Sequence, residues 1–169
     1  MKIVKDAMIL INLAKITILE LSCNYFKNVI IPEEVFNETV IAGKKKGKED
    51  ALLIEKLIKN EKIQVKKIKD KNLLNMAHEF NIHGGEAESF VLYKQEKADL
   101  LISDDYNLRK KEDLIGVKII GSLAVLLKLK QNKIIDKMKF ISSIDKMREI
   151  GWFSNAVLDK LLIEGEKND

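Results

Sequence analysis

Short, nearly uninterrupted apolar runs alternate with helical patterns along most of this 169-residue chain, and that alternation limits the fold more than any other feature. The runs are Ile3-Val4, Val29-Ile30-Ile31, Ile63 to Val65, Leu100-Leu101-Ile102 and Val117 to Ile120. They are mostly β-branched and too short for buried helices. Between them lie helical stretches: Ala7 to about Lys15, then Thr17 (as cap) to Phe26, then Pro32 to a stop at Gly43. A further helix is marked by Leu52, Leu53, Lys56, Leu57 and Asn60. Others follow from Lys71 to Phe80, Gly84 to about Lys97, Tyr106 to Glu112, and Gly121-Ser122 to Lys130. Strands covered on both faces read as continuous apolar runs, because neither side of the pleat meets water. The pattern therefore predicts an α/β fold of three layers, α/β/α, around a central parallel sheet of about four to five strands.

The length fits one domain, with a core over residues 1–135 and a helical extension over 136–169 packed on it. Breaks in that extension are expected near Ser142-Ser143 and Gly151. One proline and eight glycines leave no linker. Apolar residues at 46% and charged residues at 33% mark a globular chain. The single cysteine, Cys23, reads as a small buried hydrophobe in a reducing compartment. Asp6 and Asn12 interrupt the one stretch resembling a signal peptide, and no run is long enough to span a bilayer, so a cytoplasmic protein is expected. The net charge of +4 permits a polyanionic partner without specifying one. The lysines at 44–48 and 62–71 read as solvated faces, with almost no aromatic residue between them to stack on bases.

Chemistry enters with the positions of the acids. Asp6 closes the first strand, Asp104-Asp105 closes the fourth, Glu86 follows Gly84-Gly85 at a helix start, and Glu38 lies inside the helix opened by Pro32. In parallel sheets, ligands bind beyond the carboxyl ends of the strands, so Asp6 and Asp104-Asp105 belong to one edge. Any one of these acids alone reads as a cap or a solvated residue. Asp6, however, sits between an apolar strand and an apolar helix, where an unpaired charge costs several kcal/mol. Several acids at one edge favour a cation, and oxygen-only ligands suit Mg2+ or Mn2+. His78 and His83 read as surface or rim residues, and Trp152 and Phe153 as packing for the C-terminal helices. A receiver-type phosphoacceptor would need a lysine ending the last strand, where this chain has Gly121-Ser122.

At these residues the chain resembles PIN-domain proteins, the fold of VapC-type toxin ribonucleases. It is most similar to a branch of small prokaryotic members with a Gly-Glu-x-Glu motif. The matching segments are Ile3 to Lys15, Ile31 to Glu38, Gly85-Glu86-Ala87-Glu88, and Ala98 to Asp105 with Arg109. Gly116 to Leu127 and Lys130 to Ile135 fit as well. The resemblance implies a carboxylate cluster of Asp6, Glu38, Glu86 and Asp104 that binds Mg2+ or Mn2+ and hydrolyses RNA to a 5′-phosphate and a 3′-hydroxyl. Glu88, Asp105, Ser103, Asn12 and Arg109 are further candidates. It also implies a homodimer and, for a toxin, a small antitoxin protein that blocks the acidic pocket.

Two alternatives stay open. Glu86 and Glu88 lie about 200° apart around a helix, so only one can face the cluster, and spacing to Asp104 favours Glu86. Asp105 competes with Asp104. Met8 departs from the small polar residue usual near the first acid, and Lys5 is expected to point away from Asp6 across the strand.

Overall fold

Five strands are found among the described residues of a computed structural model that describes residues 1–167. Residues 168–169, the end of the expected extension, lie outside the described residues. The strands are β1 (Lys2–Lys5), β2 (Asn28–Pro32), β3 (Ile63–Lys66), β4 (Leu100–Ile102) and β5 (Ile119–Ile120). All pair in parallel, in the order β3-β2-β1-β4-β5. The helices are α1 (Ala7–Lys15), α2 (Leu19–Phe26), α3 (Glu33–Phe36), α4 (Ala42–Lys45), α5 (Glu49–Lys59), α6 (Lys71–Glu79) and α7 (Gly84–Gln95). After β4 come α8 (Tyr106–Lys110), α9 (Glu112–Ile115), α10 (Ser122–Gln131), α11 (Lys137–Ile150) and α12 (Asn155–Glu166).

The pleat sends alternate strand residues to two separate cores, which is what a three-layer fold requires. Ile3, Val29, Ile31, Leu100 and Ile102 pack with α1, α2, α5, α10, α11 and α12. Val4, Ile30, Leu101 and Ile119 pack on the other face with α6, α7, α8 and α9. The strands are apolar on both faces because both are covered.

The strand order creates the crevice. From β1 the chain proceeds outward through β2 and β3, then crosses to the opposite side of β1 for β4 and β5. The connections leaving β1 and β4 therefore diverge, at the switch point where doubly wound sheets bind ligands. Lys5 pairs with Ile102, so Asp6 and Ser103 emerge side by side.

Several local expectations are corrected. Thr17 does not cap α2; it has φ +60° and donates its hydroxyl to Ile16 O. Gly43 does not end its helix but lies within α4, where an added Cβ would come within 2.8 Å of Ala51 Cβ. It is there for close packing of α4 on α5. In α5 the buried residues are Ala51, Ile54 and Leu57, while Leu52 stays 57% exposed. No break occurs at Ser142-Ser143, because both hydroxyls bond back to Lys139 O and leave the helical ladder intact. The Tyr106 to Glu112 stretch is two short helices, α8 and α9. The break at Gly151 is present, with φ +78°.

Candidate active site

Asp6 continues the β1 ladder by donating its N–H to Ile102 O at 3.2 Å, then caps α1 as its Oδ1 accepts from Ile9 N at 2.8 Å. Its side chain is 2% exposed, and Oδ2 has no hydrogen-bond partner. Burial pushes the carboxyl up to about 7, with Asp104 and Glu86 adding repulsion, and the Ser103 hydroxyl and Ile9 N–H offset only part of this. The neighbouring cation offers no relief. Lys5 points to the opposite face of the sheet, where it is fully buried and donates to Ser22 Oγ at 2.6 Å. Burial lowers the Lys5 amine as well, and Cys23, 3.8 Å away, opposes that. Cys23 is buried, as its sequence context suggests.

Asp104 leaves β4 toward the same crevice. Its Oδ1 accepts from Ser122 N at 2.8 Å, and its Oδ2 accepts from Asn12 Nδ2 at 3.0 Å. A Cβ added at Gly121 would come within 2.6 Å of Asp104 Oδ1 and 3.3 Å of Arg109 Nη1. Gly121 thus leaves a cradle for the carboxylate on the N-terminus of α10, where the helix dipole favours an anion. Arg109 stands at the rim, exposed. Asp105 turns away from the crevice and caps α8, its Oδ1 accepting from Leu108 N at 2.6 Å. Buried Ser103 accepts from Asp105 N and braces the turn between the two acids.

The other two acids meet at α7. Glu38 lies in a π-helical turn, Asn37–Ile41, set between α3 and α4. Such turns displace one residue and often mark functional positions. Its Oε1 accepts from Gly85 N at 3.3 Å, and a Cβ at Gly85 would come within 2.9 Å of Oε2. Burial raises the Glu38 carboxyl and Glu86 raises it further, against the Gly85 N–H. Glu86 is therefore the residue of α7 that faces both Glu38 and Asp6. Glu88 also adds repulsion at Glu38, but its Oε2 accepts from Glu34 N at 3.3 Å, and burial raises it beside Glu34 and Glu33.

The crevice thus gathers Asp6, Glu38, Glu86 and Asp104, with Asn12, Ser103 and Arg109 around them. Glu88, which also acts on Glu38, and Asp105 accept from backbone N–H groups at helix starts. Among the described residues, no three Asp, Glu, His or Cys side chains form a ready-made metal cage. The donors nonetheless fit Mg2+ or Mn2+, which bind through one or two carboxylates and keep waters for the rest. Buried Asp6 Oδ2 and Asn12 Oδ1 both lack a donor, as oxygens aimed at a cation would. His78 and His83 stack on each other at the exposed surface, as expected. The cradles at Gly85 and Gly121 escape sequence reasoning. A Gly-Ser pair opening an apolar helix after a strand is the available signal, but it reads equally as a plain helix start.

A parallel sheet with acids at its switch point defines an α/β domain with a crevice suited to a cation or a polar ligand. A family model described as a PIN domain matches residues 2–166, and the chain belongs to that family. PIN domains are generally nucleases, bind nucleic acid and usually use divalent metal ions. No curated protein and no solved structure matches the chain. Among the described residues no helix is long and apolar enough to cross a membrane.

Proposed function

We propose that this protein is a metal-dependent endoribonuclease whose carboxylates Asp6, Glu38, Glu86 and Asp104 hold Mg2+ or Mn2+ at the sheet's switch point. One observation carries the reading. Asp6 is buried with an orphaned oxygen, is pressed by Asp104 and Glu86, and has no basic side chain bonded to it among the described residues. That is a poor way to bury a carboxylate and a good way to hold a hard cation.

A divalent ion bound there would supply a Lewis acid for the scissile phosphate. Asn12 and Ser122 N–H fix both oxygens of Asp104, and Gly85 N–H restrains Glu38, so the carboxylates need little rearrangement before reaction. Water attacks phosphorus, the bond from phosphorus to the 3′ oxygen breaks, and the 3′ oxygen takes a proton from solvent. Glu86 or Glu38 accepts the proton that the attacking water loses. Arg109, exposed at the rim, would hold a flanking phosphate. The products are a 5′-phosphate and a 3′-hydroxyl.

The test is cleavage of a mixed RNA pool with Mg2+, with Mn2+ and with EDTA, beside Asp6→Asn. Metal-dependent cutting that disappears in the variant supports the reading. A folded protein that cuts with neither metal, freed of any bound partner, overturns it.

A second reading, an RNA-binding or protein-interaction module with little hydrolysis, draws on the lack of a preformed three-residue cage among the described residues and on Met8, 40% exposed near the mouth. RNA binding indifferent to metal, without cleavage, would favour it. A toxin role, with a small antitoxin placing a basic side chain among the acids, and a homodimer are narrower proposals. A short companion gene and a mass measurement in solution test them.

A further inference from the structure

Helix α1 joins the carboxylates to a second feature. It starts at Asp6 and ends at Lys15, about 13 Å on at 1.5 Å per residue. Met8, Ile11 and Lys15 are spaced three and four apart and so share one face, which passes from apolar to basic away from the acids. Two contiguous cavities of about 170 and 550 Å3 run along this face. The smaller begins at Glu38 and Thr39 and is walled by Ala42 and Lys46. Both include Lys15, Lys48 and Asp50. The groove therefore opens beside Glu38, one of the four acids.

Its charges are arranged for an anion that comes and goes. Lys15, Lys46 and Lys48 are exposed and form no ion pair among the described residues, whereas nearby Lys44 is held by Glu55 at 2.9 Å. Glu49 and Asp50 share the wall, but both lie in the first turn of α5, where the helix terminus holds carboxylates. At the far end stands Trp152, 39% exposed, with Lys15 Nζ 5.0 Å from its ring centroid. Cations without ion-pair partners among the described residues, leading to a part-exposed aromatic ring, suit a single nucleic-acid strand, which needs backbone neutralisation and a stacking platform. In sequence, 137 positions separate Trp152 from Lys15, so only the fold brings the aromatic to the lysines.

We infer that this groove is the track for the single-stranded RNA next to the scissile bond, with phosphates on Lys15, Lys46 and Lys48 and a base stacked on Trp152. The inference rests on the nuclease reading for its substrate class, but binding can be measured without hydrolysis.

Trp152 is the only tryptophan, so its fluorescence reports on the groove directly. Full-length Asp6→Asn protein with Mg2+ is titrated with a labelled single-stranded RNA of mixed sequence, and Trp152 emission and RNA anisotropy are followed over a range of salt. Saturable quenching that tracks the anisotropy is expected. Adding Lys15→Gln, Lys46→Gln and Lys48→Gln should lower the slope of log affinity against log salt by about 2, at roughly 0.7 per contact. Trp152→Ala should weaken binding about tenfold. The control, Lys27→Gln with Lys118→Gln and Lys128→Gln, removes the same charge near the opposite, N-terminal ends of the strands and should leave the slope unchanged.

Equal losses in groove and control variants overturn the track, as does RNA binding that leaves Trp152 emission unmoved, or no RNA binding at all. Trp152 quenching that follows protein concentration without RNA would assign the groove to a second copy of the chain and also overturn it. Failure of the nuclease reading registers separately, in the cleavage assay of the unmutated protein.

Discussion

Asn12 donates its side-chain amide to Asp104 Oδ2 at 3.0 Å, tying the second turn of α1 to the loop that leaves β4. The bond spans the crevice between the two strands on either side of the switch point. It connects the helix capped by Asp6 to the acid cradled on α10, so two carboxylates from distant parts of the chain are held in one frame. Asn12 is 3% exposed, and its own Oδ1 has no donor.

Asn12→Ala should release Asp104 without unfolding the protein. A lost partner beside a metal ligand typically costs 10- to 100-fold in metal affinity, and a loss of about that size is expected. Stability should fall by only about 1 kcal/mol, since Asp104 keeps its bond from Ser122 N. Calorimetric titration with Mn2+ alongside thermal unfolding separates the two effects. An unchanged Mn2+ affinity would contradict the role given to the bond.

Asp6 makes the metal-free protein less stable as pH rises. Its carboxyl ionises near 3.8 when unfolded and, chiefly through burial, only near 7 when folded. Between those values the unfolded chain has released a proton that the folded chain still holds, so unfolding is favoured by raising pH. Asp6→Asn removes that slope and should be more stable than the unmutated chain by about 1–3 kcal/mol in EDTA at about pH 8. Urea unfolding across that window decides it, and a variant less stable at the alkaline end contradicts the effect assigned to burial. By the same logic, metal binding to the unmutated protein should weaken as pH falls below about 7, because the proton on Asp6 must leave first.

Lys5 has the opposite sign. Burial holds its amine below the ordinary 10.5, so below that pH the unfolded chain binds a proton that the folded chain lacks. Stability from this group is complete above 10.5 and declines as pH falls toward the lowered value. Lys5→Met should abolish that rise toward alkaline pH and add about 1–2 kcal/mol at neutral pH, since an aliphatic chain of similar size carries no amine to desolvate. A variant that is less stable at neutral pH would mean that the bond to Ser22 outweighs the burial.

Gly121→Ala isolates the cradle. Gly121 has φ −97° and ψ 176°, extended backbone that alanine adopts freely, so no strain arises from the main chain. The methyl group would instead meet Asp104 Oδ1 at 2.6 Å and push the carboxylate off Ser122 N. Displacing a reacting group by about 1 Å costs on the order of 100-fold in rate, and a loss of that order is expected in RNA cleavage. The fold should lose only about 1–3 kcal/mol. Normal cleavage by a folded Gly121→Ala protein would remove Asp104 from the mechanism.

Much of the sheet was legible because a strand buried on both faces must be apolar at consecutive positions, and short β-branched runs have few other uses. Ile3-Val4, Val29 to Ile31 and Leu100 to Ile102 all lie in strands. The helix details were less legible where packing overrode local preference. Gly43 reads as a stop, yet contact with Ala51 keeps it helical. Ser142-Ser143 reads as a break, yet the hydroxyls satisfy themselves on Lys139 O within α11. The π-helical turn that carries Glu38 has no composition of its own.

For the acids, sequence alone determined which carboxylates stand at strand ends and helix starts, because a parallel sheet puts its strand ends on one edge. It also required Lys5 and Asp6 to face apart, since neighbouring residues in a strand alternate. Only tertiary structure decided between neighbours with equal local claims. Asp104 meets Ser122 and Asn12 while Asp105 caps α8, and Glu86 acts on both Glu38 and Asp6 while Glu88 accepts from Glu34 N. Local rules place every one of these acids acceptably near a helix start. What separates them is which backbone N–H or neighbouring carboxylate the packed helices bring to each, and those contacts link residues far apart in the chain.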